Sequence, residues 1–285
     1  MNKKKVWFIT GSSTGFGREL AEAVLAQGYT VAVTARKPEV LRDLVEKYPN
    51  SVIALKLDVT KPDEVRHAVA EAVKKFGTID VVVNNAGYGL IGAIEEASDA
   101  QIRQQFETNV FGALDVMRAV LPQMREQKSG HLLNISAVNG FVGFPFTGFL
   151  TATKFALEAF SESLSKEVEP YGIKVTIVEP GLFRTDLIKR SLVVGENRMV
   201  ETYPSTFIDW LREMDGKQPG DPRKAAQAMI KVVESKNPPL RLPLGEDAIL
   251  AIEAELENVR NDIAPWRQVG IDTAFEGMKA ESIGG

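Results

Sequence analysis

The hydrophobic positions follow two different periods along the first two thirds of the chain. Short runs of β-branched residues that are apolar along nearly their whole length predict buried strands, and longer stretches with apolar residues every three or four positions predict helices. The predicted strands are Val6–Thr10, Thr30–Ala35, Val52–Leu57, Ile79–Val83, His131–Ser136 and Ile173–Glu179. The predicted helices are Phe16–Gln27, Glu39–Lys47, Pro62–Phe76, Asp99–Gln127 with a kink or break at Pro122, and Leu150–Val168.

This alternation of strand and helix predicts the fold class. Strands such as Val81-Val82-Val83 have no polar face, which is typical of a parallel sheet covered on both sides. Right-handed crossovers between such strands give an α/β fold with a doubly wound, Rossmann-type parallel sheet.

After Glu179 the regular alternation ends. Residues 182–220 carry aromatic residues at irregular spacing, and they are followed by a predicted helix, a short strand and a charged helix, at Pro222–Glu234, Leu240–Leu242 and Glu246–Asn261. We interpret the charged helix as solvated rather than as a partner site. Because no linker or repeat interrupts the chain, we expect residues 1–285 to form one domain, elaborated by a substrate loop at 182–220 and a C-terminal helical segment at 246–285.

Composition narrows the function classes. The 285 residues are 44% hydrophobic and 25% charged, as in ordinary soluble proteins, and the net charge of −4 argues against a nucleic-acid groove. The absence of cysteine excludes a disulfide framework and a thiolate nucleophile, and two histidines, His67 and His131, are too few for a typical zinc site. The apolar run after Lys3-Lys4-Lys5 is too short for a signal peptide, so we expect a cytoplasmic protein without a membrane span.

The first strand runs directly into a glycine-rich turn, Gly11-Ser12-Ser13-Thr14-Gly15-Phe16-Gly17, and then into a helix. Gly11 permits the tight turn, Gly15 lets the backbone approach a pyrophosphate, and Gly17 lets the helix pack closely on the strand. The free N–H groups of the helix N-terminus then favour a phosphate. The other interpretation is an ordinary strand-to-helix loop, but the position at the start of the first β-α-β unit favours dinucleotide binding.

The end of the second strand bears on the choice of cofactor. A site for NAD usually places a carboxylate here for the ribose 2′-hydroxyl, but the sequence reads Thr34-Ala35-Arg36-Lys37 and reaches no carboxylate before Glu39. The guanidinium of Arg36 can pair with a 2′-phosphate and stack on adenine. Unless Arg36 is merely a solvated surface residue, the sequence favours NADP(H) over NAD(H).

Several further motifs follow in order along residues 5–190. They are Leu57-Asp58-Val59, Asn84-Asn85-Ala86-Gly87, Asn109 within Thr-Asn-Val-Phe-Gly, Asn134-Ile135-Ser136, Lys154, and Pro180-Gly181 with Thr185. Together with the glycine-rich turn, this series resembles the short-chain dehydrogenase/reductase family. The subgroup pattern is similar to hydroxysteroid and retinol dehydrogenases and their bacterial relatives.

The resemblance implies a role for each matching residue. Asp58 and Val59 would hold the adenine ring, and Asn84, Asn85, Ala86 and Gly87 would line the cofactor. Lys154 would bind the nicotinamide ribose, and Asn109 would hold a water molecule in a proton relay. Pro180, Gly181 and Thr185 would fix the carboxamide. The implied cofactor is a nicotinamide dinucleotide, and the implied reaction interconverts an alcohol with a ketone or aldehyde.

The chain departs from the family pattern at two catalytic positions. The family places a Tyr four residues before the Lys and a Ser about thirteen residues before that Tyr. In this sequence those positions are Leu150 and Ala137, and neither carries a hydroxyl. The Tyr would supply a proton to the carbonyl oxygen, and loss of a general acid typically costs about 10²–10⁴ in rate. The Ser would donate to the oxyanion, a contribution of about 10²–10³.

Two explanations fit the departure: an active-site knock-out made on purpose, or a natural member whose chemistry is altered or lost. Ser136 is a poor substitute for the Ser, because adjacent strand residues point to opposite faces. Thr147, Thr153 and Tyr88 are further donors that the sequence does not place. The first hypothesis is therefore a slowed NADP(H)-dependent oxidoreductase, and the alternative is a protein that binds or senses NADP(H) without turnover.

The substrate pocket should lie beyond the carboxyl ends of the strands. Its predicted walls are 90–93, 139–149 and 182–210, and the aromatic stretch Phe141, Phe144, Phe146 and Phe149 either packs in the core or lines the cleft. If it lines the cleft, the substrate is a small apolar alcohol or carbonyl compound. Family likeness also implies pairing of Asp99–Gln127 and Leu150–Val168 between subunits, in a homodimer or homotetramer.

Overall fold

The strands at the centre of the fold alternate their side chains between two hydrophobic layers. A computed structural model describes residues 4–203 and 206–278. In the first strand, Trp7 and Ile9 enter one buried cluster and Phe8 enters the other, as the two-residue period of a strand requires. All three side chains are fully buried. Both faces of the sheet are therefore covered, which explains why its strands lack a polar face.

In this described part of the chain the strands and α-helices are numbered in order along the sequence. The strands are β1 Val6–Ile9, β2 Thr30–Ala35, β3 Val52–Lys56, β4 Val81–Asn84, β5 Gly89–Ile91, β6 Gly130–Ile135, β7 Ile173–Pro180, β8 Leu192–Val194 and β9 Arg241–Leu244. The helices are α1 Gly15–Ala26, α2 Arg42–Lys47, α3 Pro62–Phe76, α4 Asp99–Phe106, α5 Gly112–Gln127, α6 Gly148–Val168, α7 Leu187–Arg190, α8 Thr206–Glu213, α9 Pro222–Glu234 and α10 Glu246–Ile271.

The main sheet has the order β3-β2-β1-β4-β6-β7-β9, and every pairing in it is parallel. Helices α1 and α9 pack on one face, and α3, α5 and α6 pack on the other. The order reverses between β1 and β4, so the crevice at their carboxyl ends is the position where open α/β sheets bind ligands. The predicted doubly wound, Rossmann-type α/β fold is confirmed.

The long helical region predicted at Asp99–Gln127 is interrupted at a different place from the one expected. Pro122 lies inside α5, which continues through it because Val120 and Met124 hold that stretch in the core. The helix does not break at Pro122, so that part of the prediction is wrong. The interruption is a π-helical turn at Glu107–Phe111, and it carries Asn109. Such turns are frequent at functional sites because they turn a side chain out of register with its helix.

Four other elements differ from the sequence-based prediction. Two short strands, β5 and β8, form a separate two-stranded parallel sheet beside the crevice. The short strand expected at Leu240–Leu242 is β9, at the edge of the main sheet. Helix α10 continues ten residues beyond the expected end at Asn261. Within residues 4–203 and 206–278, no helix is long and apolar enough to cross a membrane. The predicted segments 182–220 and 246–285 are described only in part, since residues 204–205 and 279–285 lie outside the described residues.

Candidate active site

The glycine-rich turn lies so close to its neighbours that side chains would not fit at two of its glycines. A Cβ on Gly17 would lie 2.5 Å from both Asn85 Nδ2 and the carbonyl oxygen of Gly11. A Cβ on Gly11, whose φ is +67°, would lie 3.0 Å from the Cα of Ala86. Asn85 and Ala86 follow β4, so the turn after β1 and the loop after β4 are in direct contact. The structure thus brings these sequence-predicted residues together at the crevice.

The first N–H groups of helix α1 receive no hydrogen bond from the side chain of its N-cap residue. Thr14 occupies the N-cap position with extended backbone, but its side chain makes no cap hydrogen bond, and the first turn contains no acidic residue. Helix α4, in contrast, has a complete capping box from Ser98 and Gln101. An uncapped N-terminus beside a glycine turn presents donors and a partial positive charge to an anion. Ser13 is exposed at the tip of this turn.

Two hydroxyl groups that the sequence analysis did not single out hold the turn in place. Thr10 Oγ1 accepts hydrogen bonds from the backbone N–H groups of Asn85, at 2.9 Å, and Ala86, at 3.0 Å. Ser12 Oγ donates to the carbonyl oxygen of Ile9 at 2.8 Å and accepts from the N–H of Thr34 at 3.3 Å. Both residues are buried. Their small polar side chains beside a strand end were the only sequence signal, and it is a weak one.

Arg36 and Asp58 lie at the carboxyl ends of the neighbouring strands β2 and β3, at one end of the crevice. Arg36 is exposed and makes no ion pair with any of the described residues. Asp58 Oδ1 accepts two hydrogen bonds from Thr60, from its N–H at 3.1 Å and its hydroxyl at 2.8 Å. Val59 is buried against Gly112 of α5. The loop after β3 is therefore rigid, and the guanidinium of Arg36 remains available to an anion.

Lys154, Asn109 and Gly87 meet at the other end of the crevice. A Cβ on Gly87 would lie 3.0 Å from Asn109 Oδ1 and 3.9 Å from Lys154 Nζ. Asn109 Oδ1 accepts from the N–H of Tyr88, and its amide donates to the carbonyl oxygen of Tyr88 at 2.8 Å and to Thr153 Oγ1 at 3.1 Å. The π-helical turn aims Asn109 at this loop. The sequence-predicted Lys and Asn are therefore adjacent, although 45 positions separate them.

The ammonium group of Lys154 is held in a poorly solvated position. Its Nζ donates to the carbonyl oxygen of Ile135, at the end of β6, at 2.8 Å. Burial lowers the pKa of Lys154 to about 8, while the charge of Glu158, one helical turn further along α6, acts in the opposite direction. A lysine placed in this way carries most of its charge at neutral pH and keeps two N–H donors for a ligand.

The two positions that lack hydroxyl groups belong to the two segments that hold this lysine, the end of β6 and the start of α6. Ala137 follows β6 with extended backbone, and Leu150 is in the first turn of α6. Leu150 packs beside Gly89 of β5, where its Cδ2 would lie 3.6 Å from a Cβ at that glycine. Both residues are half-buried. Neither offers a donor to a substrate oxygen.

The hydroxyl groups nearest in sequence are engaged elsewhere. Ser136 Oγ donates to Glu158 Oε1 at 2.5 Å, in the layer beneath the crevice. Thr153 Oγ1 donates to the carbonyl oxygen of Leu150 at 2.8 Å, and Thr147 Oγ1 to that of Phe144 at 2.8 Å. Tyr88 lies in the loop after β4, where burial raises the pKa of its phenol. The bond to Glu158 agrees with the expectation that Ser136 is a poor substitute for the missing serine.

Pro180, at the end of β7, and Gly181 and Thr185, which follow it, form the opposite wall of the crevice. The Cβ of Thr185 would lie 3.6 Å from a Cβ placed at Gly15, so this wall touches the glycine-rich turn. The N–H of Leu182 donates to Asp247 Oδ2 at 2.7 Å, which ties the wall to the start of α10. A cleft of about 200 Å³ opens between the wall and α1, and Arg184 and Lys189 are among its lining residues.

Beneath Lys154 lies a buried ion cluster that the sequence analysis missed. Glu158 and Glu179 are 3% and 1% exposed, and both contact Nη1 of Arg241, with a distance of 2.6 Å to Glu179. Burial, followed by the charge of Glu158, raises the pKa of Glu179 to about 7. No local signal joins these residues, because the parallel topology brings Arg241 of β9 across from α6 and β7.

The predicted aromatic stretch divides between core and cleft. Phe149 is buried, and Phe141 lies under the guanidinium of Arg241, with the Arg241 Cζ 5.3 Å from the ring centroid. Phe146 has a positive φ of 64° and stacks on Phe207 of α8, with 6.2 Å between ring centroids. Leu192 of β8 and Ile91 of β5 join Phe207 in a small apolar cluster. This cluster forms an apolar flank beside Leu150.

Comparison with protein families matches residues 5–192 to the short chain dehydrogenase model. The chain is 40% identical over 274 residues to oxidoreductase BOA17 of Botryotinia fuckeliana, covering 95% of this chain and 99% of that one. It is 39% identical over 246 residues to 3-ketodihydrosphingosine reductase of Bacteroides thetaiotaomicron, covering 85% and 88% of the two chains.

Solved structures give the same result. A short-chain dehydrogenase from Streptomyces avermitilis is 43% identical, with a TM-score of 0.89 over 96% of this chain and 100% of that one. ElxO with NADP bound is 26% identical, with a TM-score of 0.71 over 85% and 97%. The match to the family model and the overall identity to these relatives agree with the parallel sheet and the glycine-rich turn: the chain belongs to the short-chain dehydrogenase family of oxidoreductases.

Proposed function

We propose that this oxidoreductase binds NADP(H), acts on the alcohol or carbonyl group of a small apolar substrate, and is severely slowed by the absence of two hydroxyl groups. The observation that carries the proposal is the contrast within one crevice. The residues expected to hold a dinucleotide line this crevice, whereas Ala137 and Leu150 occupy the positions where the resemblance implies an oxyanion donor and a general acid.

The residues present fit a dinucleotide. The uncapped start of α1 suits a pyrophosphate, and the tight contact among Gly11, Gly17 and Asn85 leaves no room for side chains there. Lys154 keeps two donors for the hydroxyl groups of a ribose. Asp58 and Val59 would flank adenine, while Pro180, Gly181 and Thr185 would hold the carboxamide. When bound, the nicotinamide group supplies or accepts the hydride, and ElxO, a relative of similar fold, binds NADP.

Arg36 supports NADP(H) over NAD(H). It is exposed at the end of β2 without a carboxylate partner among the described residues, so a 2′-phosphate would give it one. The variant Arg36→Asp should weaken NADPH binding about 10- to 100-fold, since a charge-assisted hydrogen bond contributes about 1.5–3 kcal/mol. NADH affinity should stay level or improve. An equal loss for both cofactors in calorimetric titrations would contradict the assignment.

Without the two hydroxyl groups, the residues that remain can position a carbonyl but not protonate it. Lys154 binds the ribose, and Asn109 holds the backbone of Tyr88 and could order a water molecule between itself and Lys154. A carbonyl oxygen that develops negative charge would face Leu150 and Ala137, which donate nothing. The slow reaction would then depend on water as the acid, and the missing groups together correspond to several orders of magnitude.

The test restores the hydroxyl groups. The double variant Ala137→Ser with Leu150→Tyr should raise NADPH-dependent reduction of ketones at least about 10²-fold, and each single variant should raise it less. A matched control is Thr151→Ser, which keeps a hydroxyl next to Leu150 and should change nothing. Continued inactivity of a folded, NADPH-binding double variant across a broad ketone panel would favour the alternative, a protein that binds NADP(H) without turnover.

The proposed substrate class follows from the flanks of the crevice, and the proposed assembly follows from exposed aromatic residues on the surface. Phe146, Phe207 and Leu192 favour an apolar ligand such as a steroid, an aryl carbinol or a long-chain ketone. The Bacteroides relative is named for a ketone reduction on a sphingoid base. Exposed Phe111, in the π-helical turn just before α5, and exposed Phe155 and Phe160 on α6 support pairing of α5 and α6 in a homodimer or homotetramer. We further propose one domain over residues 1–285 and a cytoplasmic location.

A further inference from the structure

Helix α10 extends far beyond the part of the protein on which it packs. Its first turns contact the body through Ala248, which is buried, and through Ile252 and Glu255, which are half-buried. Every residue from 256 to 278 is exposed. We call residues 256–271 the overhang. At 1.5 Å per residue it is about 24 Å long.

The overhang carries an apolar stripe with coiled-coil spacing. Leu256, Val259, Ile263 and Trp266 follow one another at intervals of three, four and three residues, and they are 44%, 46%, 53% and 65% exposed. This is the a/d spacing of a heptad repeat, in which the stripe stays on one side of the helix. The charged residues of the sequence predict a solvated helix here. A solvated helix is polar all round, whereas the overhang has this apolar stripe.

Charged residues flank this stripe in an ordered way. In the heptad that places Leu256 at a and Val259 at d, the g positions are Glu255 and Asp262, and the e positions are Arg260 and Arg267. In a parallel pair of helices each g residue faces the following e residue of the other helix, so that Glu255 meets Arg260 and Asp262 meets Arg267. An antiparallel pair would place e beside e and g beside g, which joins like charges. The e and g positions set partner and orientation in coiled coils.

We propose that the overhang is an oligomerisation arm, covered by the overhang of a second copy of this chain in a parallel two-stranded coiled coil. The helix is already formed by its attachment to the body, so pairing need not supply the free energy of helix nucleation. Pro265 occupies a c position, on the outer side of the pair, where its ring does not enter the interface. The arm is independent of the cofactor site and of the pairing through α5 and α6.

The charge of α10 argues against a lipid surface as the occupant. The helix carries six carboxylates, two arginines and no lysine. Helices that lie on membranes typically carry many Lys and Arg residues on their polar face and gain from anionic lipids. This helix would instead be repelled by an anionic surface.

The absence of cysteine in the chain gives a direct test. In a parallel coiled coil, the two copies of a d-position residue face each other within reach of a disulfide. The variant Val259→Cys should therefore form disulfide-linked dimers under mild oxidation, at least about ten times faster than Asn261→Cys, whose thiol lies on the opposite side of the helix. Equal rates for the two variants would overturn the proposal, because the readout does not depend on contacts elsewhere in an oligomer.

A charge exchange tests the proposed register. Adding Arg260→Glu to the Val259→Cys chain should slow disulfide formation, because Glu255 would then face a glutamate. Adding Glu255→Arg as well should restore it.

Flotation with phosphatidylglycerol vesicles tests for a membrane as the occupant. Binding of the chain to vesicles through Trp266, without cross-linking of Val259→Cys, would identify a membrane as the occupant and overturn the proposal. Cross-linking without any nucleotide binding would leave the arm intact and count against the proposed function alone.

Discussion

Ser136 Oγ donates a hydrogen bond of 2.5 Å to Glu158 Oε1, and this bond directs the serine of Asn134-Ile135-Ser136 away from the crevice. Glu158 is in turn held by Arg241, which also binds Glu179. The space is closed, because a Cβ at Gly140 would collide with both Ser136 and Glu158. Ser136 therefore belongs to a buried structural cluster, and its hydroxyl cannot replace the one missing at Ala137.

The first prediction concerns the stability of this cluster. Arg241→Met would leave two buried carboxyl groups without a cation, and breaking a buried ion pair in this way costs about 3–5 kcal/mol. We expect the free energy of unfolding to fall by about 3 kcal/mol in urea titrations at pH 8. The control is Arg223→Met, whose 83% exposed side chain makes only a long ion pair with Glu19 and should change stability by less than about 0.5 kcal/mol. Equal effects would contradict the role of the cluster.

The second prediction gives the pH dependence of the same cluster. The pKa of Glu179 is raised from 4.5 to about 7, so the folded state holds a proton that the unfolded state releases between those values. The stability that Glu179 contributes is fully present below pH 4.5 and is lost as the pH rises to about 7. Relative to the wild-type chain, Glu179→Gln should therefore gain stability as the pH rises from 4.5 to 7.

The comparison between variants is necessary because His131 titrates in an overlapping range. Burial lowers the pKa of His131 to about 3, so its contribution runs in the opposite direction and is lost as the pH falls from 6.5 toward 3. His131 is present in both proteins, and its contribution cancels in the difference. A difference in unfolding free energy that stays flat across pH 4.5–7 would show that Glu179 holds no extra proton.

The third prediction separates stability from binding at Lys154. Its lowered pKa of about 8 means that the ammonium is less stable in the fold than in water. Lys154→Met should therefore raise the free energy of unfolding by about 1–2 kcal/mol at pH 7 while it weakens NADPH binding at least about tenfold. Thermal unfolding and calorimetric titration measure the two effects. A variant that loses both stability and binding would indicate that Lys154 is part of the structural core instead.

The fourth prediction concerns the glycine-rich turn. In Gly17→Ala the new methyl group would meet Asn85 and the backbone of Gly11, and overpacking of this kind costs about 1–3 kcal/mol. The turn must shift, so NADPH affinity should fall together with stability. Gly143→Ala is the matched control, because its Cβ would meet no atom within 4 Å. If Gly17→Ala binds NADPH as tightly as Gly143→Ala does, the turn does not approach the cofactor as closely as we propose.

Local patterns predicted the main sheet and the position of the glycine-rich turn well, for a physical reason. The β1 strand, the glycine-rich turn and α1 are consecutive in the chain, and each is determined by its own residues. Lys154 and Asn109 could be placed only through the resemblance, since the π-helical turn that aims Asn109 has no simple sequence signal. Pro122 does not end α5, because the packing of Val120 and Met124 holds the helix together around it.

The features that were missed depend on contacts between distant residues. Arg241 lies 83 and 62 positions from the two carboxylates that it binds. Asp247 reaches Leu182 across 65 positions to close the wall of the crevice. The pairing of β5 with β8 joins three-residue strands too short to be recognised by their pattern. Parallel topology brings these segments together, and only the folded chain reveals that they meet.

The measurement that tests the account most directly is a calorimetric titration of the purified, folded chain with NADPH and, separately, with NADH. We predict saturable uptake of one NADPH per chain, with clearly weaker binding of NADH, and reduction of an added ketone that is at least about 10²-fold slower than in the Ala137→Ser, Leu150→Tyr variant. A folded chain that takes up neither nucleotide would contradict the claim that the crevice between β1 and β4 is a working dinucleotide site.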